Sequence, residues 1–162
     1  ATLQLLFSQN TKAVEEMAFG ECFKLLAVRL PNCTTIEDKA FYFCHQLQHF
    51  EAPKTTCIGT KAFFQCFRMQ NYTFDQVEQL QSEAFYYNTS LEFISLKKLK
   101  EIKRRTFSSC DCLKFIFSED LEEVDEDFAD FRHKICFVGS KLRKSDEYVL
   151  MGQEKVEKVQ ER

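Results

Sequence analysis

The sequence predicts an all-α fold, a disulfide-stapled bundle of five or six helices, from three observations. The 162 residues include only 4 glycines and 2 prolines, few for an all-β fold, which needs turn residues at short intervals. Apolar residues recur in steps of three and four, behind residues able to cap helices. Eight cysteines accompany three Asn-x-Ser/Thr sequons (Asn32, Asn71 and Asn88) among four asparagines. Glycosylation implies passage through the secretory pathway, where thiols oxidise and disulfides persist.

Taken in order, the first helix begins at Asn10 or Thr11, carries Val14, Met17, Ala18, Cys22, Leu25 and Leu26 at helical spacing, and stops at Pro31. Thr34 and Glu37 form a capping box for a second, with Ile36, Ala40, Phe43, Cys44 and Leu47 inward and Pro53 as its breaker. A third runs from Thr56 to Gln70 and includes Cys57, Phe63, Phe64, Cys66 and Phe67. Thr73 and Gln76 cap a fourth, lined by Phe74, Val77, Leu80 and Ala84, and Ser90 caps a fifth, lined by Leu91, Ile94, Leu99 and Ile102. Beyond the Cys110-Asp111-Cys112 turn, Leu121, Val124, Phe128, Phe131, Ile135 and Val138 read as a heptad seam closed by Gly139. No internal repeat is read. One domain is expected over residues 1–140, with a charged tail over 141–162; Ala1 is read as near a mature start, because the Leu3–Phe7 stretch lacks the charged lead-in and length of a signal peptide.

Geometry prunes the disulfide pattern. Cys22 and Cys44 are equidistant from a turn at Cys33, so an antiparallel hairpin sets them face to face. A long last helix carries Cys136 out of reach of Cys110 and Cys112. Cys33, Cys57 and Cys66 are then left to bond Cys110, Cys112 and Cys136, tying the two halves together.

Catalytic chemistry is not legible. His45 and His49 are four residues apart on the second helix, but no further ligand is at hand once the cysteines are oxidised, so no metal and no cofactor is expected. Cys44-His45 superficially suggests a secreted phospholipase, but Gln46 stands where that active-site helix places an aspartate. His133 lies between Arg132 and Lys134 on a charged face. No Gly-x-Ser-x-Gly, zincin or phosphate-loop pattern occurs, and the chain is read as non-enzymatic.

A net charge of −3 gives no bias toward nucleic acid, and no apolar run is long enough to span a bilayer. Six basic residues crowd between Lys97 and Arg105, and eight acidic ones between Glu119 and Asp130. They read as two antiparallel neighbouring helices screening one another, or as a basic patch for an acidic partner. The runs Phe41-Tyr42-Phe43, Phe63-Phe64 and Phe85-Tyr86-Tyr87 cannot all face one core from a helix, since neighbours diverge by about 100°. They imply helices buried on two sides, exposed rings or a lined cavity, with Phe43, Phe63, Phe64 and Phe67 as candidate lining.

The stretch from Phe43-Cys44 through Cys57 to Cys66, with aromatics beside half-cystines, resembles secreted cysteine-rich helical domains abundant in nematodes, which have no assigned activity. No functional residue carries over from that resemblance. The reading is thus a secreted, glycosylated helical binding protein acting on an extracellular protein partner, cytokine-like or a receptor- or host-directed effector. The alternative is an extracellular carrier of a fatty acid or other apolar ligand.

Overall fold

A computed structural model describes residues 3–130, 135–139, 141, 142 and 148–151. The described residues form fourteen short strands and no helix. One row of strands contains β1 (Leu5–Phe7), β3 (Ala27–Arg29), β5 (His49–Glu51), β7 (Asn71–Thr73), β9 (Phe93–Ser95), β11 (Phe115–Phe117), β13 (Ile135–Val138) and β14 (Tyr148–Met151). A second row, on another side of the molecule, contains β2 (Ala13–Val14), β4 (Thr35–Ile36), β6 (Cys57–Ile58), β8 (Gln79–Leu80), β10 (Glu101–Ile102) and β12 (Glu123–Val124). All pairing is parallel, in the orders β1-β3-β5 and β7-β9-β11-β13-β14 for the first row, and β2-β4-β6-β8 and β10-β12 for the second.

Register defines the architecture. Leu5 pairs Ala27 and Ala27 pairs His49, while Ala13 pairs Thr35 and Thr35 pairs Cys57, a step of 22 residues each time. The chain is a parallel β solenoid, each coil carrying one strand of each row. The step shortens to 21 between Ile116 and Phe137, and to 13 between Ile135 and Tyr148. A coil cannot bury its apolar face alone; stacking buries a continuous core.

This overturns the all-α bundle and the absence of a repeat, and the reason is geometric. A coil that turns a corner every few residues brings side chains inward in steps of three and four, which imitates a helical stripe. Val14, Cys22 and Leu25 are buried as expected, but from strand and turn positions. Thr34, expected as a helix cap, donates its hydroxyl to the Lys12 carbonyl of the preceding coil at 3.1 Å. In the expected heptad seam, Leu121 and Phe128 are buried in turns, Val124 is on β12, and Ile135 and Val138 are on β13; Phe131 lies outside the described residues. The charged runs are neighbours, but in stacked parallel coils: Lys97 meets Glu119 at 4.0 Å and Arg104 meets Asp127 at 3.8 Å. β14 falls within the expected tail and pairs β13.

The glycine argument fails for a specific reason. Each corner opposite the strand rows uses two left-handed residues that are not glycine: Met17 and Glu21, Lys39 and Phe43, Lys61 and Gln65, Glu83 and Tyr87, Arg105 and Ser109. That conformation costs about 1–2 kcal/mol for an L-residue. It aims the N–H at the next coil, so that Lys39 donates to Thr60 O at 2.9 Å, Phe43 to Phe64 O at 2.9 Å and Gln65 to Tyr86 O at 3.0 Å. A repeated intercoil bond offsets a repeated strain.

Columns of identical or closely similar apolar side chains fill the interior. Phe19, Phe41, Phe63, Phe85 and Phe107 stack in near-parallel pairs with centroids 5.3–5.7 Å apart, each such pair adding about 0.5–1.5 kcal/mol beyond burial. Leu25, Leu47, Met69, Leu91 and Leu113 form a second fully buried column, and Ile36, Ile58, Leu80 and Ile102 a third.

Candidate functional site

Strand alternation divides the first row into two faces. Val28, Tyr72, Ile94, Ile116 and Phe137 point inward and are buried, and Leu6 and Phe50 in the same column pack partly buried against the core. The residues on either side point outward: Leu5, Ala27, His49, Asn71, Phe93 and Phe115 in one column, and Phe7, Arg29, Glu51, Thr73 and Phe117 in the next, where Ser95 is buried and donates its hydroxyl to Asp75. Unlike the inner columns, these change chemistry from coil to coil. Adjacent strands lie about 4.8 Å apart, so the outward side chains form a regular lattice.

Its first three coils carry the most apolar exposure. Leu5 is 69% and Phe7 58% exposed. Arg29 pairs with Glu51 at 3.0 Å, and its guanidinium lies 5.8 Å from the Phe7 ring centre. An open cleft of about 560 Å³ runs over this patch and reaches His49, Phe50, Asn71 and Tyr72. Further along, Lys97 lies over the Phe117 ring at 5.6 Å while pairing with Asp75 at 3.4 Å. Arginine beside exposed aromatic and aliphatic groups is the composition that protein interfaces favour.

A second aromatic surface lies at the corner opposite the strand rows. His45 sits between Phe23 and Phe67, with ring centres at 5.2 and 4.8 Å, and Tyr42 stacks on Phe64 at 5.0 Å. The aromatic runs resolve here: Phe41 and Phe85 enter the core, while their neighbours Tyr42, Phe43, Tyr86 and Tyr87 stay on the outside. The four candidate lining residues therefore do not meet around a cavity. Phe63 belongs to the inner stack, whereas Phe43, Phe64 and Phe67 are half-buried on this corner. The carrier reading is overturned, since the solenoid interior is filled by stacked side chains. His45 and His49 also separate, one at the aromatic corner and the other on β5.

All eight cysteines are free thiols, which overturns the disulfide pattern. Cys22, Cys44, Cys66 and Cys110 occupy one inner column. Cys22 and Cys44 are brought together, as expected, but as successive rungs. Each thiol of the later three donates to a phenylalanine carbonyl in the coil before: Cys44 to Phe19 O at 3.2 Å, Cys66 to Phe41 O at 3.3 Å and Cys110 to Phe85 O at 3.2 Å. Burial, then the neighbouring Cys22, pushes the Cys44 thiol up to about 12. Burial likewise raises Cys66 and Cys110 well above the ordinary thiol range. A buried thiol is a small hydrophobe with a weak donor, and these supply that donor. Cys33 and Cys136 are buried elsewhere, Cys57 is half-buried and Cys112 exposed.

Asn88 takes the place of a cysteine in this column. It is fully buried, and its Nδ2 donates to Phe63 O at 2.8 Å and Phe85 O at 2.6 Å. A glycan on that nitrogen would replace one of its two hydrogens, so the two bonds could not both remain. Asn32 is half-buried, donating to Gln9 O at 2.9 Å and accepting from Lys54 Nζ at 2.8 Å, whereas Asn71 is exposed on the outward lattice.

Parallel coils of 22 residues, with an invariant inner ladder and a variable outer strand face, define a leucine-rich repeat protein. The chain belongs to the BspA type leucine rich repeat family, whose profile matches residues 7–144 in a region of six copies. The fold is shared with solved structures. A leucine rich cell surface protein from Faecalibacterium prausnitzii A2-165 is 25% identical, with a TM-score of 0.65 over 70% of this chain and 31% of its own. A leucine-rich repeat protein from Bacteroides ovatus ATCC 8483 is 21% identical, with a TM-score of 0.64 over 93% of this chain and 45% of its own. The T. pallidum Leucine Rich Repeat protein is 18% identical, with a TM-score of 0.53 over 86% of this chain and 75% of its own. The chain thus spans less than half the length of the first two. No curated protein matches it in sequence. These matches replace the nematode resemblance and the cytokine-like reading, because the spacing of Cys44 and Cys66 is one solenoid step. No helix among the described residues is long and apolar enough to cross a membrane.

Proposed function

We propose that the chain is a non-enzymatic, protein-binding module of an extracellular or cell-surface protein, and that it engages its partner through the outward strand lattice. The observation that carries this reading is the contrast within one strand row: the inward positions stay apolar from coil to coil, and the outward ones vary in chemistry. Within each run of paired strands, varied side chains held on a hydrogen-bonded backbone present a partner with a specific surface at small ordering cost. Leu5, Phe7 and Arg29 supply the anchors, and the similarity to a leucine rich cell surface protein supports the location. Asn71 lies on the same lattice, so a glycan there and a partner across the middle coils would exclude one another; peptide mapping of the secreted protein reads which holds.

Photo-crosslinking tests the surface. A benzophenone amino acid at Thr73 or Phe117, on the lattice, should give a discrete adduct in the native setting, and one at Glu126, away from it, should not. Adducts from Glu126 with none from the lattice would overturn the assignment.

A further inference from the structure

Among the described residues, the two strand rows are each interrupted once, and the interruptions are staggered. In the first row the pairing stops between β5 and β7; in the second it stops between β8 and β10. The fourth coil, residues 71–92, therefore belongs to the later coils through β7 and to the earlier coils through β8.

At regular junctions, one carbonyl ahead of each first-row strand accepts two amides. Leu26 O takes Gln48 N at 2.9 Å and His49 N at 3.1 Å, and Gln70 O takes Glu92 N at 2.9 Å and Phe93 N at 3.3 Å. At the first interruption the equivalent acceptor, Gln48 O, takes the Tyr72 hydroxyl. The open cleft lies here, touching Glu51 on one lip and Asn71 on the other. In the second row, Gln81 N donates to Ile58 O at 3.0 Å and Asp125 N to Ile102 O at 2.9 Å. At the interruption between them, Lys103 Nζ reaches Gln81 Oε1 at 2.8 Å. Side chains thus bridge both gaps where backbone bonds bridge the other junctions.

The aromatic corner is continuous through the same coils. Phe63 N donates to Ala84 O at 2.8 Å and Phe85 N to Thr106 O at 3.1 Å, while the rings of Phe63, Phe85 and Phe107 stack at 5.3 and 5.7 Å. One edge of a three-sided coil is thereby held, and the other two are released one step apart.

We propose that the fourth coil is a hinge. Coils one to three and coils five and six rotate against it about the phenylalanine spine, one seam opening the outward lattice between His49 and Asn71 and the other opening the second row. Hinges are a few positions that absorb a large backbone change between packed bodies, and such segments sit at the low-stability end of a structure. The motion changes the spacing between the lattice positions of the first three coils and those that follow. It does not depend on what binds there.

Pulsed electron paramagnetic resonance on the full chain tests it, with spin labels on noncanonical residues so that the thiols are left alone. Lys12, Thr56 and Lys100 are exposed and occupy one column at equal steps. Thr56 and Lys100 straddle the hinge; Lys12 and Thr56 do not. The straddling pair should give a distance distribution about twice as broad or more, on the scale expected for hinge motion, and Tyr72→Phe should broaden it further while leaving the Lys12–Thr56 pair unchanged. Equal widths in the unsubstituted chain would overturn the hinge. So would backbone amides of Gln70 and Lys100 as protected from exchange as those of Gln48 and Glu122.

Discussion

The phenylalanine spine and the outward strand lattice lie on the same coils and obey the same period, yet they are opposite in character. On the spine, Phe41, Phe63, Phe85 and Phe107 repeat without change and are fully buried. On the lattice, Arg29, Glu51, Thr73 and Phe117 share nothing but position. A buried position must match the ring above and the ring below, so one substitution is felt by two neighbours. An outward position meets water on one side and is released from that constraint. Repetition therefore marks what the fold requires, and variation marks where recognition is free to act.

The sharpest way to break the comparison is to remove one ring. Phe63→Ala leaves a cavity between Phe41 and Phe85 and should cost about 3–5 kcal/mol, read as a fall in the denaturant midpoint. A loss below about 1 kcal/mol would mean that the spine is no more constrained than the lattice.

The cysteine column offers a subtler test. Asn88→Ala deprives Phe63 O and Phe85 O of the amide at 2.8 and 2.6 Å and should cost about 1–3 kcal/mol. Asn88→Cys should recover much of that, because a thiol fills the same place in the coils around it. If the cysteine variant is as unstable as the alanine one, the column is not a ladder of equivalent donors.

The thiols also set a pH dependence. Cys44 is raised from an ordinary value of 9.0 to about 12. The folded state therefore keeps a proton that the unfolded chain releases, and the contribution is complete below pH 9 and lost as pH rises toward 12. Stability measured by urea titration should fall across that window, and at neutral pH an alkylating reagent should modify the exposed Cys112 well before the column thiols. Rapid modification of Cys66 in the native protein would contradict its burial.

The smallest effect belongs to the lattice. Arg29→Ala breaks an exposed ion pair at 3.0 Å, and such pairs contribute about 0–1 kcal/mol. Stability should barely change, whereas crosslinking or binding through that face should fall. An Arg29 variant as destabilised as Phe63→Ala would show that the lattice is structural.

The composition and local spacings led to the wrong architecture for a reason that is visible in particular residues. Val14, Cys22, Leu25, Ile36 and Leu47 were legible as buried, and they are. Their steps of three and four suit a helix and the corners of a tight coil equally well. The discriminating signal was longer: Phe41, Phe63, Phe85 and Phe107 recur at a fixed step, and Cys22, Cys44 and Cys66 recur at the same step, with Cys110 two steps further on and Asn88 between. Read singly, the aromatic runs suggest a lined cavity, with Phe43, Phe63, Phe64 and Phe67 as its lining, and the cysteines a set of disulfides; read as a period, the phenylalanine and cysteine columns are two ladders. Asn88 follows the sequon rule, yet its side chain occupies the thiol column, a placement that only the neighbouring coils decide.

By itself the sequence determined much of the buried set, though not the exposure of Met17 and Ala18 or the half-burial of Phe43, and which charged segments answer one another, because both follow from order along the chain. Only the tertiary structure decided that the recurring units stack in parallel, that the cysteines donate hydrogen bonds instead of forming disulfides, and that both strand rows break around the fourth coil. Those outcomes depend on what lies 22 residues away across a coil-to-coil junction, and neither local propensity nor the spacing of near neighbours encodes that contact.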